Sequence, residues 1–336
     1  MSLRRALTAV VAVAALAGAA LAGSGCGGES GAQDHEPASV GVVIKGLDNP
    51  FFVAMKEGVV AAGRDRRAHV QVSAATGLQD TAGQASKLEA LIAQGLGCYV
   101  VNPTTQSNLV RSLSHVPDGT PIVNIDSPVG ADEARALGID ISTYIGTDNQ
   151  AAGALAADTM AGLVGRGARV GVIGGTSGDA TSAARVAGFG TGSEGRFRPL
   201  ETIDADWNED KAALAAGDLL RSDPGIAGIF AANDQMALGV TRAVADAGRE
   251  GAVAVVGVDG IEEALAAVRR GALSATVSQY PYTIGALGVQ ACLAAASGHA
   301  LPARVDAPIQ VITKRNVRRA QARFPQPVEP FEGPFG

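Results

Sequence analysis

This sequence has few of the residues from which metal and catalytic sites are usually built. Its 336 residues include three cysteines and four histidines. The histidines are dispersed, and none stands beside cysteines or carboxylates at the spacing of metal ligands. No nucleophile-elbow motif is present either. We therefore expect no bound metal and no cofactor, and we expect the protein not to be an enzyme.

The sequence also has fewer basic than acidic residues and no apolar run long enough to span a membrane. The chain has 27 lysines and arginines against 33 aspartates and glutamates, a formal net charge of −6. Contacts to nucleic-acid phosphates need a basic face, so we expect no nucleic-acid partner. The uncharged run at residues 6–20 is too short and too rich in alanine for a membrane span.

The first 38 residues predict export. A short basic segment, the uncharged run and several small residues precede Cys26, in the order of a secretory signal. We expect residues 1–25 to be a signal peptide and residues 26–38 a tether rich in glycine and serine. We predict lipid attachment at Cys26. The alternative is ordinary cleavage nearby, because Gly23 stands where a lipoprotein signal usually has leucine. The predicted location is periplasmic or extracytoplasmic, touching a membrane only through this anchor.

After the tether, short β-branched runs alternate with longer stretches of helical spacing. We predict strands at residues 40–44, 69–74, 99–101, 122–125, 170–173, 226–231, 253–258 and 275–277. We predict helices at residues 51–64, 83–94, 150–164, 210–220, 235–247 and 261–269. This alternation is typical of an α/β fold with doubly wound parallel sheets. The remaining length is enough for two cores of ordinary domain size.

Three features carry local predictions. Cys98 and Cys292 lie in apolar surroundings, as buried free thiols would, and the sequence leaves a disulfide between them open. The glycines of residues 188–195 predict a shortened or mobile helix. Their match to G-x-G-x-x-G lacks the strand before and the helix after that a dinucleotide site needs. Residues 317–336, rich in arginine and proline, predict a poorly ordered extension.

Polar and aromatic side chains collect where the predicted strands end. In doubly wound sheets, ligands bind beyond the carboxyl ends of the strands. Helix capping explains each asparagine or aspartate taken singly, but it does not explain their accumulation beside aromatics in both halves. A sugar needs planar groups with several hydrogen-bonding positions and aromatic faces against its ring. The strand ends therefore predict a sugar site.

Nine segments between residue 40 and about residue 314 carry a family resemblance. They read LDNPFF (47–52), VNPT (101–104), NID (124–126), GTDN (146–149), TSAAR (181–185), ADW (205–207), ANDQMALG (232–239), VGVDG (256–260) and ATVSQ (275–279). In order and spacing they resemble the periplasmic ribose-type sugar-binding proteins of ABC importers. Their type I solute-binding fold is shared with the sensor domains of LacI-type repressors.

The resemblance implies two Rossmann-like lobes, a three-strand hinge and a sugar in the cleft. Residues 39–147 with 280–308 would form the N-terminal lobe, and residues 148–279 with 309–316 the C-terminal lobe. The crossings would fall near Thr147, Gln279 and Pro308. The resemblance also implies the sugar-binding residues, namely an aromatic sandwich of Phe51, Phe52 and Trp207 and hydrogen bonds from Asn49, Asn102, Asp126, Arg185, Asn233, Asp259 and Gln279.

Two residues depart from the ribose pattern. Lys45 stands where the ribose proteins carry serine, and Ser127 stands where they carry arginine. Lys45 together with Trp207 is similar to the allose-binding branch. We therefore expect a hexose such as allose, or a related pentose or polyol, with Lys45 as a further sugar ligand. A solvated lysine at a strand end is the alternative for Lys45.

The resemblance also implies how the protein works. We expect a monomer that captures a monosaccharide or polyol and delivers it to an ABC-transporter permease. The alternative is a receptor that presents the bound sugar to a chemoreceptor or sensor kinase. We do not expect a repressor, because the chain begins with a predicted export signal where such repressors carry a DNA-binding domain.

Overall fold

The computed structural model describes residues 38–335. The predicted signal peptide, the tether up to residue 37 and the predicted lipid attachment at Cys26 lie outside the described residues. Among residues 38–335, the structure has no helix that is both long enough and apolar enough to cross a membrane.

Residues 38–335 form twelve strands and eleven helices in near-strict alternation. The strands are β1 Ser39–Ile44, β2 His69–Ala74, β3 Cys98–Val101, β4 Ile122–Ile125, β5 Thr143–Gly146, β6 Arg169–Gly174, β7 Arg198–Asp204, β8 Ile226–Ala231, β9 Ala254–Asp259, β10 Ala275–Ser278, β11 Arg304–Asp306 and β12 Gln310–Thr313. The helices are α1 Pro50–Asp65, α2 Thr81–Ile92, α3 Val110–Leu113, α4 Ala131–Ala136, α5 Asn149–Ala161, α6 Ala180–Ser193, α7 Glu209–Ser222, α8 Asp234–Asp246, α9 Glu262–Arg270, α10 Pro281–Ala296 and α11 Val317–Arg323.

The strands form two six-stranded sheets, one for each lobe. The N-terminal sheet has the order β11-β5-β4-β3-β1-β2, and all its pairs are parallel. The C-terminal sheet has the order β12-β10-β9-β8-β6-β7, with β12 antiparallel at its edge. Buried apolar strands such as β3 and β8 agree with sheets covered on both faces. The predicted fold, two doubly wound α/β lobes, is confirmed.

The chain passes between the two sheets three times. The passages follow β5 and β10 and join β11 to β12, which puts them at residues 147–148, 279–280 and 307–309. At the third passage the backbone N–H of Ala307 donates to the carbonyl of Gly146 at 2.8 Å. The assignment of each lobe boundary to a single residue stays a prediction.

Helix α6 corrects the prediction of a shortened segment at residues 188–195. It continues to Ser193, and Gly188 and Gly192 pack against α5. A Cβ on Gly188 would lie 2.1 Å from the carbonyl oxygen of Gln150, and one on Gly153 would lie 2.0 Å from that of Arg185. These glycines let the two backbones touch. Helix–helix packing offsets the low helix propensity of glycine, about 1 kcal/mol per residue. The prediction of a shortened helix was therefore wrong, and a mobile segment stays a prediction.

Cys98 and Cys292 form a disulfide rather than two free thiols. Their Cα atoms are 5.8 Å apart, and both residues are buried in the N-terminal lobe. The bond ties β3 to α10 across 194 residues of sequence. The apolar surroundings predicted from the sequence are present, and of the two alternatives that the sequence left open the structure has the disulfide.

The C-terminal residues correct a second prediction. Val317 and Ala320 bury one side of α11, and Val328 and Phe335 are also buried. These apolar residues, spaced among arginines and prolines, pack on the body of the protein. The prediction of a poorly ordered extension at residues 317–336 was therefore wrong for the described part of that segment.

Candidate functional site

A cavity of about 380 Å3 lies between the carboxyl ends of the two sheets. This size falls within the range of small-molecule sites. One wall comes from the loops after β1 to β4, and the other from the loops after β6 to β9. Both walls therefore lie where ligands bind in doubly wound sheets.

The structure brings nine of the eleven predicted sugar-binding residues to this cavity. They are Lys45, Asn49, Phe51, Phe52, Asp126, Arg185, Trp207, Asn233 and Asp259. Asn102 and Gln279 do not line it. Asn102 is fully buried and donates from its amide nitrogen to the sulfur of Met55 at 3.4 Å. Gln279 donates to Asp259 Oδ1 at 2.6 Å, so it contacts a cavity residue from behind. A sugar contact by Asn102 or Gln279 stays a prediction.

Lys45 lies inside the N-terminal wall and is 8% exposed. Its Nζ donates to the hydroxyl of Ser127 at 2.5 Å and lies 3.8 Å from Asp126 Oδ2. The ammonium group is also 5.4 Å from the centre of the Phe52 ring, within cation–π range. The lysine head is therefore held at the cavity rather than in bulk water.

Asp126 has an uncommon backbone conformation that its neighbours hold in place. Its φ is 62°, in the left-handed region that few residues other than glycine adopt. The hydroxyl of Tyr144 donates to the Asp126 carbonyl at 2.6 Å, and the Asp126 N–H donates to the carbonyl of Ile145 at 2.8 Å. Burial, with Asp126 nearby, raises the pKa of Tyr144, so the phenol stays a hydrogen-bond donor.

The start of α1 supplies the aromatic part of this wall. Asn49 caps the helix by accepting from the N–H of Phe51 at 2.9 Å, and Pro50 occupies the first turn. The cap turns Phe51 and Phe52 towards the cavity, with their rings edge to face and 5.2 Å between centres. A helix start therefore provides both an amide and an aromatic surface.

Arg185 organises the opposite wall. Its Nε donates to Asn149 Oδ1 at 2.8 Å, and its Nη1 donates to the carbonyl of Ala232 at 2.7 Å and to Asp259 Oδ1 at 3.2 Å. The side chains of Arg185 and Asp259 are 5% and 6% exposed, so they form a buried ion pair. Burial raises the pKa of Asp259, and the charge of Arg185 and the hydrogen bond from Gln279 oppose that shift.

Trp207 enters this wall through space that a glycine leaves open. A Cβ on Gly175 would lie 2.2 Å from the indole. Trp207 itself has a φ of 59°, an outlier for a bulky residue. The guanidinium of Arg185 lies 5.8 Å from its ring centre. Strained residues cluster at binding sites, and Asp126, Trp207 and Asp259 are three of the five described non-glycine residues with positive φ.

Comparison with known proteins gives the family. The model for the periplasmic binding protein domain matches residues 40–300, more than half of the chain. The chain belongs to the periplasmic binding protein family. This family implies an extracytoplasmic location.

Curated relatives cover most of this periplasmic binding protein. The D-allose-binding periplasmic protein of Escherichia coli is 35% identical over 272 residues, which is 79% of this chain and 87% of that protein. The ribose import binding protein of Bacillus subtilis is 31% identical over 280 residues, covering 82% and 88% of the two chains.

Solved structures agree with the fold. A periplasmic solute-binding protein of an ABC transporter from Actinobacillus succinogenes, with bound D-allose, aligns with a TM-score of 0.79 and 26% identity. The alignment covers 84% of this periplasmic binding protein and 99% of the other chain.

Sequence reasoning missed several cavity residues of this periplasmic binding protein. They come from the loops after β2, β3, β4 and β6, namely Leu78, Gln79, Thr81, Thr104, Thr105, Gln106, Ser107, Pro128, Glu133, Thr176, Ser177, Gly178, Asp179, Ala180 and Thr181. Their position after strands was a signal that could have found them. Small hydroxyl and amide residues are so common in loops that position alone did not distinguish them.

The deep charges of the cavity balance. Lys45 lies within 4 Å of Asp126, and Arg185 lies within 4 Å of Asp259. At this depth two cations face two carboxylates, which suits a neutral, polar ligand. Glu133 and Asp179 also line the cavity, but they lie nearer to solvent. Residues 38–335 contain no cluster of three or more metal-ligating side chains that could hold an ion.

Proposed function

We propose that this protein captures a monosaccharide outside the cytoplasm and delivers it to the permease of an ABC importer. The observation that carries the proposal is the cavity in which two buried ion pairs, amides and three aromatics from two lobes converge. The relatives named for ribose import and D-allose binding support it. The solved relative with bound D-allose supports a monosaccharide ligand.

The proposed ligand is a hexose such as allose, or a related pentose or polyol. Lys45, bonded to Ser127, presents an ammonium group to the cavity at a point where it can donate to a sugar hydroxyl. A ligand that lacked this hydroxyl would leave the buried ammonium short of an acceptor, which is a source of specificity.

The proposed roles follow the chemistry of each residue. Phe51, Phe52 and Trp207 would cover the C–H faces of the ring. Asn49, Asp126, Arg185, Asn233 and Asp259 would bond its hydroxyls. Asn102 and Gln279 stay proposed sugar contacts, and Gln279 also holds Asp259 from behind. Because the polar groups belong to two lobes, a sugar that bonds both would favour the closed arrangement over an open one.

A sugar panel tests the proposal directly. Thermal unfolding of the chain would be followed with pentoses, hexoses, inositols and pentitols. We expect one class to raise the unfolding free energy, by about 2.7 kcal/mol when the sugar reaches a hundred times its Kd. If no sugar or polyol shifts the transition, the proposal is wrong, and a shift with nucleosides or amino acids instead would assign another ligand.

Trp207 offers a second, local test, because it is the only tryptophan in the chain. Its fluorescence should change on saturation with the sugar found by the panel. We expect Trp207→Ala to weaken that sugar's binding at least tenfold. Leu214→Ala, at a 72% exposed position outside the cavity, is the control and should bind as the parent does. If Trp207→Ala binds the sugar as tightly as the parent, Trp207 does not stack on the sugar ring.

We further propose export through residues 1–25, lipid attachment at Cys26, and a monomer whose lobes divide at residues 147, 279 and 308. Mass spectrometry of the protein purified from bacterial membranes would test the lipid. We expect an acylated N-terminal Cys26, and we expect Cys26→Ala to release the protein into the soluble extracytoplasmic fraction. A cleaved but unmodified terminus would contradict the lipid proposal and leave export intact.

A further inference from the structure

Asp234 is a buried carboxylate that lies next to the cavity without lining it. It is the first residue of α8 and directly follows Asn233, which does line the cavity. Its exposed fraction is 0%. A carboxylate in such a place is costly unless its oxygens are well bonded.

The carboxylate of Asp234 joins the loop after β9 to strand β10. Its Oδ2 accepts from the N–H groups of Gly260 at 2.6 Å and Ile261 at 3.1 Å, and its Oδ1 accepts from the hydroxyl of Thr276 at 2.7 Å. A Cβ on Gly257 would lie 2.3 Å from Oδ1, so β9 leaves room for this side chain.

The loop that Asp234 holds carries a cavity residue in an unfavourable conformation. Asp259 has a φ of 135° and Gly260 a φ of 77°. An aspartate rarely adopts such a backbone unless its surroundings impose it. The two bonds to Gly260 and Ile261 are on the next two residues, so they constrain the Asp259 backbone directly.

We propose that Asp234 is a positioning residue, which fixes residues 259–261 so that the Asp259 carboxylate faces the cavity and Arg185. The proposal rests on the proposed function, since Asp259 matters as a sugar ligand. Asp234 acts by accepting hydrogen bonds, and an asparagine there can accept both N–H bonds and donate to Thr276.

The test compares three substitutions by calorimetric titration with D-allose, or with the panel sugar of largest thermal shift. We expect Asp234→Ala to weaken binding at least tenfold and Asp234→Asn to bind within threefold of the parent. Thr276→Val, which removes only the third bond, should lower the melting temperature and leave the Kd within threefold. If Asp234→Ala does not fold, Asp234→Ser replaces it. A lower melting temperature with an unchanged Kd would assign Asp234 a purely structural role and overturn the proposal.

A measurement without ligand separates this proposal from the proposed function. Amide hydrogen exchange over residues 257–262 should be faster in Asp234→Ala than in Thr276→Val or in the parent. If no sugar binds the parent, the proposed function fails, while exchange still decides whether Asp234 holds the loop. Equal exchange in all three proteins would overturn the positioning role.

A second observation concerns residues 324–335, which we name the hinge strap. The strap starts after α11, which packs on α9 of the C-terminal lobe, and ends against α10 of the N-terminal lobe. A Cβ on Gly333 would lie 2.2 Å from the side chain of Leu287 on α10. The family model ends at residue 300, so the strap lies outside the matched region.

The middle of the strap touches the second passage between the lobes and, through Tyr280, is linked to the start of β12. The N–H of Val328 donates to the hydroxyl of Tyr280 at 3.4 Å, and that hydroxyl donates to Gln310 at 3.3 Å. Tyr280 belongs to the second passage, and Gln310 follows the third. Phe324, Pro325 and Val328 also line a small space between α1 and α9, behind the main cavity.

We infer that the hinge strap restrains opening of the cleft. Opening moves the backs of the two lobes towards each other, and the strap fills the space into which α1 and α9 would move. Without the strap, the closed arrangement of the lobes would be less populated. Because the closed arrangement is the one that binds the sugar, the apparent affinity for the sugar would fall with its population.

Solution X-ray scattering without ligand tests this inference. We expect a chain that ends at Arg323 to have a larger radius of gyration than the full chain, and Val328→Asp to show the same change. Glu329→Gln removes the ion pair with Arg319 but keeps the buried strap residues, so it should match the parent. Equal radii for the parent, the shortened chain and Val328→Asp would overturn the inference, whichever ligand the cavity binds.

Discussion

The two lobes present equivalent sheet edges to one cavity but stabilise them differently. In the N-terminal lobe, Lys45 bonds a hydroxyl, and a disulfide joins the central strand β3 to α10. In the C-terminal lobe, which has no cysteine, Arg185, Asp259 and Asp234 form a buried, charged network. The N-terminal lobe therefore combines a covalent link with a less buried ion pair, and the C-terminal lobe depends on a more deeply buried charged network, so different changes should weaken them.

The two lobes share one packing feature: in each, two neighbouring helices touch closely at glycines. In the N-terminal lobe, Cβ atoms on Gly58 and Gly285 would lie 1.9 Å and 2.2 Å from carbonyl oxygens of α10 and α1. In the C-terminal lobe, Gly153 and Gly188 make the same reciprocal contact between α5 and α6. The difference between the lobes is thus in the walls of the cavity rather than in helix packing.

The largest effect should follow from removing the buried cation of the C-terminal wall. Arg185→Met leaves Asp259 without its cation and removes the hydrogen bonds that Arg185 donates to Asn149 and Ala232. We expect a loss of about 3–5 kcal/mol in unfolding free energy at pH 8. The matched change Lys45→Met should cost about 1 kcal/mol, because Asp126 is 12% exposed and closer to water. Urea unfolding measures both, and equal losses would erase the proposed difference between the walls.

The loss in Arg185→Met should depend on pH. Burial raises the pKa of Asp259 to about 6 and that of Asp234 to about 7, above the value of about 3.9 in an unfolded chain. The folded protein then binds more protons, so the stability from these groups is present at low pH and is lost as the pH rises through 6 and 7. The loss should therefore be smaller at pH 5 than at pH 8. Asp259→Asn should remove much of this dependence, and a loss independent of pH would contradict it.

The next effect concerns the covalent link of the N-terminal lobe. The double substitution Cys98→Ala with Cys292→Ala should cost about 2–4 kcal/mol, since it releases a constraint across 194 residues. Hydrogen exchange should rise most in β3 and α10 and least in the C-terminal sheet. Equal acceleration in both lobes would show that the disulfide does not act locally.

A smaller effect tests the shared glycine contact. Gly188→Ala should cost about 1–3 kcal/mol, because its Cβ would lie 2.1 Å from a backbone oxygen of α5. Gly190→Ala, two residues away in the same helix, meets nothing within 4 Å and should stabilise the protein by about 0.5–1 kcal/mol. Thermal unfolding measures both, and a shift of the same sign in the two variants would contradict the packing explanation.

The sequence predicted elements where one residue pattern dominated. The strands β1, β3, β4 and β8 were found because strands covered on both faces are almost entirely apolar. Strand β7 was missed because it is half exposed and contains Pro199 and Glu201. Helix α10 was missed because it is apolar nearly all round and has no helical stripe.

For the site, a residue's position after a strand predicted that it lies at the edge of the sheet. It did not predict whether the side chain faces the cavity or lies beneath it. Asn102 and Asp126 both follow buried strands, yet Asn102 turns beneath the cavity and Asp126 faces it. The disulfide needed knowledge of which helix covers β3, which a separation of 194 residues cannot supply. The continuation of α6 through Gly188 could not be predicted for the same reason, because it depends on packing against α5, a contact that the sequence does not show.

The smallest effect should come from the hydroxyl that holds Asp126. Tyr144 supports that residue from the backbone side, much as we propose that Asp234 supports Asp259 in the other lobe. Tyr144→Phe removes one neutral hydrogen bond, so we expect a loss of about 0.5–1.5 kcal/mol in unfolding free energy. Tyr282→Phe is the control, because the Tyr282 hydroxyl makes no hydrogen bond within residues 38–335. If Tyr144→Phe and the control unfold alike, the Asp126 backbone is held without the phenol, and the parallel between the lobes does not extend to this residue.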